Sequence, residues 1–439
     1  MVPPLSSGQE NGPLKELVLS MNNFAGEIPD GIFKHGNLTL LDLSLNQLTG
    51  SIPEEFNNLT KLEILLLNEN NFSGSIPIGL TKYIKVLDLS YNNITGELHT
   101  DLLSAPSLES IDFTSNGLTG SIPVNLSRNL YRIRLGGNQL NGTLPASIGD
   151  LSRLFYLELD GNNLSGDIPK NLGRCKNLTL LNLASNNFEN ELPPELGNLS
   201  NLVVIELQMN KISGTIPNQI SNLAKLSNLN LSHNSLSGEI PFQISVLQKL
   251  SNLNLQGNNL SGSIPTTISN MTNLIELQLG TNKLNGTIPE MPSSLTTALN
   301  LSHNCFSGSI LSSSFSNLPD LEILDLSHNN FSGPVPDSLT TLQSLTLLDL
   351  SNNNLSGTLP TFHSWVNVII TGNALLSNSS QVQISNSDSK RKMLPSLGVI
   401  HFFVLGAFVG LFVGIFLGTY GFDKIQFDPY RYIIYRFII

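Results

Sequence analysis

The feature that most constrains the fold is a repeated segment that ends in an asparagine. Stretches such as LVLSMNNFAGEIP, LDLSLNQLTGSIP and LDLSNNNLSGTLP recur along the chain, and their anchor asparagines lie 24 residues apart in most intervals, 22 in three and 25 in one. The fifteen anchors are Asn22, Asn46, Asn70, Asn92, Asn116, Asn138, Asn162, Asn186, Asn210, Asn234, Asn258, Asn282, Asn304, Asn329 and Asn353. Because self-similarity at a fixed period of roughly 20–50 residues is typical of stacked repeats, the sequence predicts a solenoid.

Each repeat reads L-x-x-L-x-L-x-x-N-x-L, in which the L-x-L pair alternates as a half-buried strand does. We expect one short strand per repeat, with both leucines inward, in a parallel sheet about 70 Å long at roughly 4.8 Å per strand. The anchor amide offers both a donor and an acceptor, which suits it to bond the backbone of the turns above and below it. The asparagines from Asn46 to Asn282 in particular predict a buried structural ladder.

A glycine and then a proline follow most anchors, as at Gly214 and Pro217 or Gly262 and Pro265. Glycine permits a positive φ, and proline fixes φ and removes a donor, so the chain turns twice before it returns to the next strand. We expect a second short strand or turn in each repeat at this place.

The full pattern, LxxLxLxxNxLSGxIPxxLxNLxxL, resembles the plant-specific leucine-rich repeat of receptor-like kinases and receptor-like proteins, and it extends from Leu14 to Asn373. The resemblance implies an α/β solenoid, a right-handed superhelix with a parallel concave sheet. In the family, that sheet usually binds peptides, steroids or partner ectodomains.

The N-terminus departs from the family pattern. Family ectodomains open with a signal peptide and a cap that carries a cysteine pair, and MVPPLSSGQENGPLKELVL contains neither. We interpret residues 1–13 as a truncated segment without a cysteine cap, followed at 14–373 by about fifteen repeats and a degenerate last one. Cys175 and Cys305 are 130 residues apart, which favours two free, partly buried thiols rather than a metal site or a disulfide framework.

The C-terminal part predicts a membrane anchor. Residues 374–392 form a polar, serine-rich juxtamembrane linker, and the apolar run 393–422 is long enough for one transmembrane α-helix. Its glycines recur at every fourth position, which is typical of helix packing: Gly406, Gly410, Gly414 and Gly418. The resemblance implies that such a helix pairs with an adaptor receptor-like kinase. The short tail, 423–439, carries no kinase motif, so we expect no enzyme activity from this chain.

Two signals disagree about membrane orientation. The basic residues Lys390, Arg391 and Lys392 lie on the repeat side of the apolar run, and basic residues favour the cytoplasm. Large domains translocate largely regardless of flanking charge, however, and glycosylation sequons outside the repeat consensus favour a secretory environment. These candidate sequons are Asn37, Asn58, Asn125, Asn177, Asn198, Asn270 and Asn378. We therefore expect a single-pass plasma-membrane protein with its repeats outside (type I).

One block of the predicted concave face differs from the rest, where most exposed positions are small or polar. Repeats six to nine supply charged, aromatic and long polar side chains, which we take as the candidate ligand-binding residues: Arg132, Arg134, Tyr156, Glu158, Asp160, Glu206, Gln208 and Met209. Mixed charge and an aromatic ring on a preformed sheet suit peptide recognition, since arginine forks onto a carboxylate and tyrosine supplies rigid contact area.

An alternative reading of this block is purely structural. Adjacent strands place Arg134 opposite Glu158, where a cross-strand ion pair would support the sheet and bind nothing. The sequons at Asn230 and Asn300 favour the ligand interpretation, because glycans on repeats ten and thirteen would direct a ligand toward repeats two to nine.

Several function classes are excluded or disfavoured. The net charge is −11 and the 22 Lys and Arg residues are scattered, which argues against nucleic-acid binding. His233, His303 and His328 precede anchor asparagines and are interpreted as solvated variants of the repeat rather than metal ligands. The aspartates at the strand ends, such as Asp88 and Asp112, recur as a scaffold position and predict no catalytic pair. We see no motif for a nucleophile, a phosphate loop, a metal or a cofactor.

The leading hypothesis is a cell-surface receptor-like protein that binds a peptide or protein on its concave face and signals through a partner receptor kinase. One alternative is a truncated receptor kinase that is inert or acts as a decoy. Another is a defence protein that inhibits a secreted hydrolase, as related soluble repeat proteins do.

Overall fold

The computed structural model describes residues 14–377, which form a solenoid with one long parallel sheet along its concave side. We number the repeats one to sixteen by the strands of this sheet. The strands are Glu16–Val18, Leu40–Asp42, Ile64–Leu66, Val86–Asp88, Ser110–Asp112, Arg132–Arg134, Tyr156–Glu158, Leu180–Asn182, Val204–Glu206, Asn228–Asn230, Asn252–Asn254, Glu276–Gln278, Ala298–Asn300, Ile323–Asp325, Leu347–Asp349 and Asn367–Ile369. The predicted leucine-rich solenoid is confirmed.

Alternation within each strand creates the core. The central residue of each three-residue strand points inward, and Leu65, Leu157 and Leu253 are almost completely buried. Each is in register with the equivalent residue of the next repeat, for example Leu157 with Leu181. Because each unit packs its apolar side on its neighbours, one hydrophobic core runs the length of the repeats.

The second short strand expected in each repeat is present in most of them and builds three smaller parallel sheets. The first contains Ala25–Gly26, Gln47–Ser51, Asn71–Gly74, Asn93–Glu97 and Gly117–Thr119. The second contains Ser165–Gly166, Asn187–Glu191 and Lys211–Ser213. The third contains Ser237–Gly238, Asn259–Gly262, Lys283–Gly286, Cys305–Gly308, Asn330–Gly333, Asn354–Thr358 and Leu375–Ser377. The middle sheet covers repeats seven to nine, which carry much of the candidate site.

The convex side corrects the α/β expectation, because its helices are almost all 3₁₀. They are Asp30–Lys34, Glu54–Asn58, Leu80–Lys82, Ala146–Asp150, Lys170–Arg174, Pro194–Asn198, Asn218–Asn222, Phe242–Val246, Thr266–Asn270 and Asp337–Thr341. One α-helix of four residues, Ser312–Phe315, occurs in the described chain. Prolines such as Pro169 and Pro217 start these segments in an extended conformation. The residue six positions later closes them, a leucine in many repeats, as at Leu223, and Cys175 after Pro169. So short a segment accommodates the tighter i→i+3 turns.

The glycines that follow the anchors adopt the positive φ expected for a turn. Gly214 and Gly262 have φ of 72° and 77°, a region that other residues rarely occupy. The residue before most anchors also takes a left-handed φ, as at Tyr91 and His233. These two turns return the chain from the concave sheet to the convex side.

The anchor asparagines from Asn46 onward form a continuous ladder of amides, whereas Asn22 is exposed and its side chain bonds only its own turn within the described residues. The buried rungs are Asn70, Asn92, Asn138, Asn162, Asn186, Asn258 and Asn282, and the other rungs are half-buried. Asn70 Nδ2 donates to the carbonyl oxygens of Leu67 and Asn68 in its own turn, and of Leu43 in the preceding repeat at 2.9 Å. Its Oδ1 accepts from the Leu48 N–H at 2.9 Å. The rungs with this geometry are Asn46, Asn70, Asn92, Asn116, Asn138, Asn162, Asn186, Asn210, Asn234, Asn258, Asn282, Asn304, Asn329 and Asn353.

Two details of the ladder differ from the sequence expectation. Each amide forms hydrogen bonds with its own turn and with the preceding repeat. We expected bonds to the turns above and below, that is, to both neighbouring repeats. The degenerate last repeat also supplies a rung, because Asn373 donates to Leu350 and accepts from the Leu355 N–H. The strand Leu375–Ser377 pairs with Asn354–Thr358, so the repeat domain continues past the expected boundary at 373.

Several expectations fall on residues that the structure does not describe. These are the expectation for segment 1–13, the sequon at Asn378, the linker after 377, the apolar run 393–422 with its four glycines, and the tail 423–439, which all lie outside the described residues. Within 14–377, no helix has the length and apolar character needed to cross a bilayer.

Candidate functional site

The concave sheet brings most of the candidate residues into neighbouring rows. Arg132 pairs in register with Tyr156, and Arg134 with Glu158. The row that starts at Arg134 continues through Glu158 and Asn182 to Glu206. Strand residues one and three point to the same face, so the predicted cluster lies on or just after the strands of repeats six, seven and nine, with the strand of repeat eight between them.

Both arginines are engaged within the chain. Arg132 Nη2 and Arg134 Nη1 donate to the same oxygen, Asp112 Oδ2, at 3.1 and 3.0 Å. Arg134 Nε lies 2.9 Å from Glu158 Oε1. Burial alone would lower the pKa of Arg134. The Glu158 and Asp112 carboxylates together outweigh this effect and raise the pKa above its ordinary value, so the guanidinium is held as a cation. The structural alternative raised from the sequence, a cross-strand Arg134–Glu158 pair, is therefore present.

Asp112 and Asp88 belong to this network, although the sequence reading treated them as scaffold positions. Asp112 is 4% exposed and accepts from two guanidinium groups. Asp88 is its neighbour in the same row, and its Oδ1 accepts from the Ser90 N–H and hydroxyl. Burial, followed by the Asp112 charge, raises the pKa of Asp88 to about 7. The strand register could have indicated the role of Asp112 from the sequence, because it places Arg134 directly beside Asp112.

On the other side of the arginines, Asp160 and Glu206 form a second acidic group. Burial and then the nearby Glu158 raise the pKa of Asp160 above its ordinary value. Burial raises the pKa of Glu206 to about 7, against hydrogen bonds from Asn230, Asn228 and Gln208 that lower it. The Asn228 Nδ2–Glu206 Oε1 bond is 2.7 Å long. Gln208 itself is 6% exposed, so the long polar side chain predicted as an exposed contact is buried.

Aromatic and apolar side chains flank these acids. Tyr156 is half-buried, and its ring centroid is 6.5 Å from that of Phe155, which is 41% exposed. Met209 is 57% exposed on the opposite edge, where its sulfur lies 3.6 Å from the Ser185 hydroxyl oxygen. The site therefore combines acceptor groups at its centre with apolar contact area at two edges.

The sequons lie largely on accessible surface. Those that are exposed and outside the repeat consensus are Asn58, Asn125, Asn177, Asn198 and Asn270. Asn37 is half-buried and its Oδ1 accepts from Lys61 Nζ at 2.7 Å. On the concave row, Asn230 and Asn300 accept from the hydroxyls of Ser232 and Ser302 within their own sequons. Glycosylation at these positions stays a prediction.

The histidines and cysteines do not form a metal site. His233, His303 and His328 are exposed, and the His303 and His328 rings stack with centroids 3.9 Å apart. Within residues 14–377 there is no group of three or more histidine, cysteine or acidic side chains that could hold a metal ion. The two thiols are free, but the expectation that both are partly buried is wrong: Cys175 is buried and Cys305 is exposed. Cys305 starts a surface strand, whereas Cys175 ends a convex 3₁₀ helix against the core.

Comparison with family models gives leucine-rich repeat matches along most of the described chain. A model described as Leucine rich repeat matches residues 13–72 and 295–355, and two further leucine-rich repeat models match the segments 82–97, 107–128, 153–175, 177–199, 201–223, 225–247 and 249–271. The chain is a leucine-rich-repeat protein. A comparison with curated protein sequences finds no match.

Solved structures that resemble this leucine-rich-repeat protein include plant receptor ectodomains. The GASSHO1/SCHENGEN3 ectodomain from Arabidopsis thaliana, in complex with CASPARIAN STRIP INTEGRITY FACTOR 2, is 37% identical over 83% of this chain, with a TM-score of 0.72. The plant peptide hormone receptor RGFR1, in complex with RGF2, is 34% identical over 84%, with a TM-score of 0.73. The Arabidopsis receptor kinase HAESA, in complex with the peptide hormone IDA and the co-receptor SERK1, is 34% identical over 83%, with a TM-score of 0.71.

The repeats cover only part of those ectodomains. The match spans 48% of the GASSHO1/SCHENGEN3 chain, 64% of the RGFR1 chain and 66% of the HAESA chain. The similarity therefore establishes a leucine-rich-repeat fold of the kind found in plant peptide-receptor ectodomains.

Proposed function

We propose that this chain is the ligand-binding part of a cell-surface receptor-like protein, and that a peptide or protein ligand lies across the concave sheet of repeats five to nine. One observation carries the proposal. A cluster of charged, aromatic and apolar side chains occupies the concave face of a solenoid that is 34% identical to HAESA, which was crystallised with a peptide hormone. Preformed faces with a few placed polar groups and aromatic anchors are suited to such ligands.

The signalling step of the proposal involves a partner receptor kinase. HAESA was crystallised with both a peptide hormone and the co-receptor SERK1, which supports a partner of this class. The apolar run 393–422 would place the repeats outside a plasma membrane, and Gly406 to Gly418 would form the contact with the partner's helix. Co-purification of a kinase that is lost in Gly410→Leu and Gly414→Leu variants supports this step, and persistence of the complex contradicts it.

A single substitution can place a glycan in the middle of the proposed site. Asn182-Leu183-Ala184 becomes a sequon when Ala184 is replaced by serine, the residue that repeats ten and thirteen carry at this position as Ser232 and Ser302. The Asn182 Oδ1 already accepts from the Ala184 N–H at 3.1 Å, as Asn230 and Asn300 do from their serines, so serine fits the local turn.

The experiment expresses the full chain behind a secretion signal in a eukaryotic host and measures its retention of synthetic dodecapeptide pools. We expect the glycosylated Ala184→Ser chain to lose binding by roughly tenfold or more, a change of about 1.4 kcal/mol, and glycosidase treatment to restore it. The matched control combines Ala184→Ser with Asn182→Gln and cannot be glycosylated there. If the glycosylated chain binds like the parent, the ligand does not lie on repeats seven to nine.

A further inference from the structure

Repeat eight separates two groups of hydrogen-bond acceptors on the concave face. Asn182 of repeat eight lies in register between Glu158 and Glu206. In the next row, backbone hydrogen bonds place Ala184 between Asp160 and Gln208. The short side chain of Ala184 stands where its row neighbours carry a carboxylate and an amide. We call Glu158, Asp160, Glu206 and Gln208, together with Ala184 between them, the acceptor basin.

The charges around the basin are not balanced. Five carboxylates line the rows of repeats four to nine, and the two guanidinium groups among them, Arg132 and Arg134, pair with Asp112 and Glu158. None of the ion pairs in the described residues includes Asp160 or Glu206. Burial is the main cause of the raised pKa of both Asp160 and Glu206, and a neighbouring carboxylate adds to it: Glu158 for Asp160, and Asp160 for Glu206.

Gln208 supplies an observation that is independent of charge. Gln208 is only 6% exposed, and its side chain supports the Glu206 carboxylate through a hydrogen bond. Its other polar atom, Oε1, is buried and receives no donor from any residue in 14–377. A buried amide oxygen without a donor is uncommon in folded proteins, because the missing bond is costly. One acceptor of the basin, Gln208 Oε1, therefore lacks a donor, and two of its carboxylates, Asp160 and Glu206, lie outside the ion pairs of the described residues.

We propose that the acceptor basin binds a cationic group of the ligand, the ammonium or guanidinium of a lysine or arginine side chain. Such a group carries only donors, and it would lie between Asp160 and Glu206 and supply the donor that Gln208 Oε1 lacks. The Tyr156 ring is on the same face as Glu158, where an aromatic face favours a cation. This inference rests on the proposed function and narrows its ligand to a basic peptide or a basic protein segment.

The proposal reverses the first interpretation of the site. From the sequence, Arg132 and Arg134 are the groups that would bind a ligand carboxylate. In the structure, Asp112 and Glu158 already accept from those guanidinium groups, whereas none of the ion pairs in residues 14–377 includes Asp160 or Glu206. A competing account is that Glu206 is protonated and donates its own O–H to Gln208 Oε1, which would complete the basin without a ligand.

The test uses immobilised full-length chain and four pools of random dodecapeptides that differ only in a fixed central residue: lysine, arginine, glutamine or glutamate. We expect the lysine and arginine pools to be retained about tenfold more tightly than the glutamine pool, and the glutamate pool least. Asp160→Asn and Glu206→Gln are each expected to reduce the lysine and arginine pools to the level of the glutamine pool. Both changes keep size and shape, and circular dichroism and thermal melting verify the fold.

The matched control is Asp349→Asn, which removes a carboxylate from the same row in repeat fifteen while keeping an oxygen for the Ser351 N–H. It is expected to leave the preference for basic pools unchanged. Equal retention of all four pools, or a basic preference that survives both Asp160→Asn and Glu206→Gln, overturns the inference and favours the protonated Glu206 account. If the pools bind equally and the glycan at Asn182 still blocks them, the proposed function holds and only the cationic ligand is wrong. If no pool binds, the proposed function fails as well.

Discussion

Repeats five to nine and repeats ten to thirteen share a backbone and an asparagine ladder, but their concave rows differ in chemistry. The first block carries the Asp112, Arg134 and Glu158 network, whereas the second carries mostly amides. In the second block, Asn252 Nδ2 and Gln278 Nε2 both donate to the Glu276 carboxylate, at 2.9 and 3.0 Å. An amide both donates and accepts, so a row of amides completes its own hydrogen bonds, while a row of carboxylates depends on cations or protons from elsewhere.

The convex sides of the two blocks differ as well. A Cβ on Gly149, Gly173 or Gly197 would lie 2.3, 2.3 or 2.2 Å from a carbonyl oxygen of the next repeat. The equivalent positions in the following repeats are serines: Ser221, Ser245 and Ser269. The convex segments thus approach most closely behind the charged block. Two independent features of the sequence, one on each face, set these repeats apart.

The largest expected effect concerns what the blocks share. Asn162→Ala and Asn258→Ala should each cost about 4 kcal/mol of unfolding free energy, because several buried backbone groups lose their partners. Hydrogen exchange is the sharpest measurement, since the Leu140 and Leu236 amides lose their acceptors.

The control for the ladder is the neighbouring residue Asn163, which is exposed. Asn163→Ala should change stability by less than about 0.5 kcal/mol. Very different losses in the two blocks would show that the ladder is not the common scaffold described above.

The next effect separates the convex sides. Gly173→Ala should destabilise the chain by about 3 kcal/mol, because the new methyl overlaps the Glu195 carbonyl oxygen and backbone has to move. The matched change Ser221→Ala removes one exposed hydrogen bond to the Asn218 carbonyl and should cost less than about 0.5 kcal/mol. Urea denaturation of the two variants checks the contrast. Equal losses would mean that close approach is not confined to the charged block.

A pH series sharpens the comparison between the concave rows. Glu206 holds its proton up to a pKa of about 7 in the folded chain, against 4.5 ordinarily, so between these values the folded state binds more protons than the unfolded state. The free energy of unfolding therefore falls as pH rises from about 4.5 to about 7, and it stays at the lower value above this window. The Glu206→Gln variant should have the same free energy of unfolding as the parent at pH 4 and a value about 2 kcal/mol higher at pH 8. This difference is smaller than the full pKa shift would give, because the side chain is partly solvated.

Asp88→Asn should behave in the same way, because its pKa is also raised to about 7. Thermal melting across the pH range measures both differences. Parallel curves for the parent and the variants would show that burial does not perturb these acids in the folded chain.

The smallest effect involves the two thiols. Iodoacetamide should modify Cys305 in the native chain and both cysteines after denaturation, because Cys175 is buried with its Sγ 3.1 Å from the Ile148 carbonyl oxygen. Burial, with a contribution from Asp150, raises the pKa of Cys175 to about 11, which lowers its thiolate fraction further. Intact-protein mass spectrometry gives the number of modified cysteines. Cys305→Ser should change the free energy of unfolding by less than about 0.5 kcal/mol. Modification of both thiols under native conditions would indicate that the central repeats open readily.

The sequence predicted the repeated parts of this molecule well, because they follow from local chemistry. The alternating leucines specify the concave strands, and the glycine and proline at Gly214 and Pro217 specify the turns. The direction of the ladder could not be read from the pattern, since an amide has equal capacity for either neighbour. The 3₁₀ helices were missed because the period of apolar residues in a five-residue segment does not distinguish helix types.

The sequence predicted that the candidate residues lie close together, but it did not predict their electrostatics. Strand register brought Arg134, Glu158 and Glu206 together, as the spacing indicated. Asp112 was missed because the same position in other repeats, such as Asp42, only bonds the nearby serine. Whether an aspartate caps a turn or holds a guanidinium depends on the next strand, and the burial that perturbs Glu206 depends on several strands at once.

The one-way geometry of the asparagine ladder gives the solenoid a direction of assembly. Each rung reaches back, so the turn that follows a concave strand is completed by an amide that is synthesised about one repeat later. Leu48, for example, finds its acceptor only when Asn70 is in place. A chain emerging from the ribosome would therefore close each repeat as the next one arrives, and the growing end would always be the least secured part of the molecule.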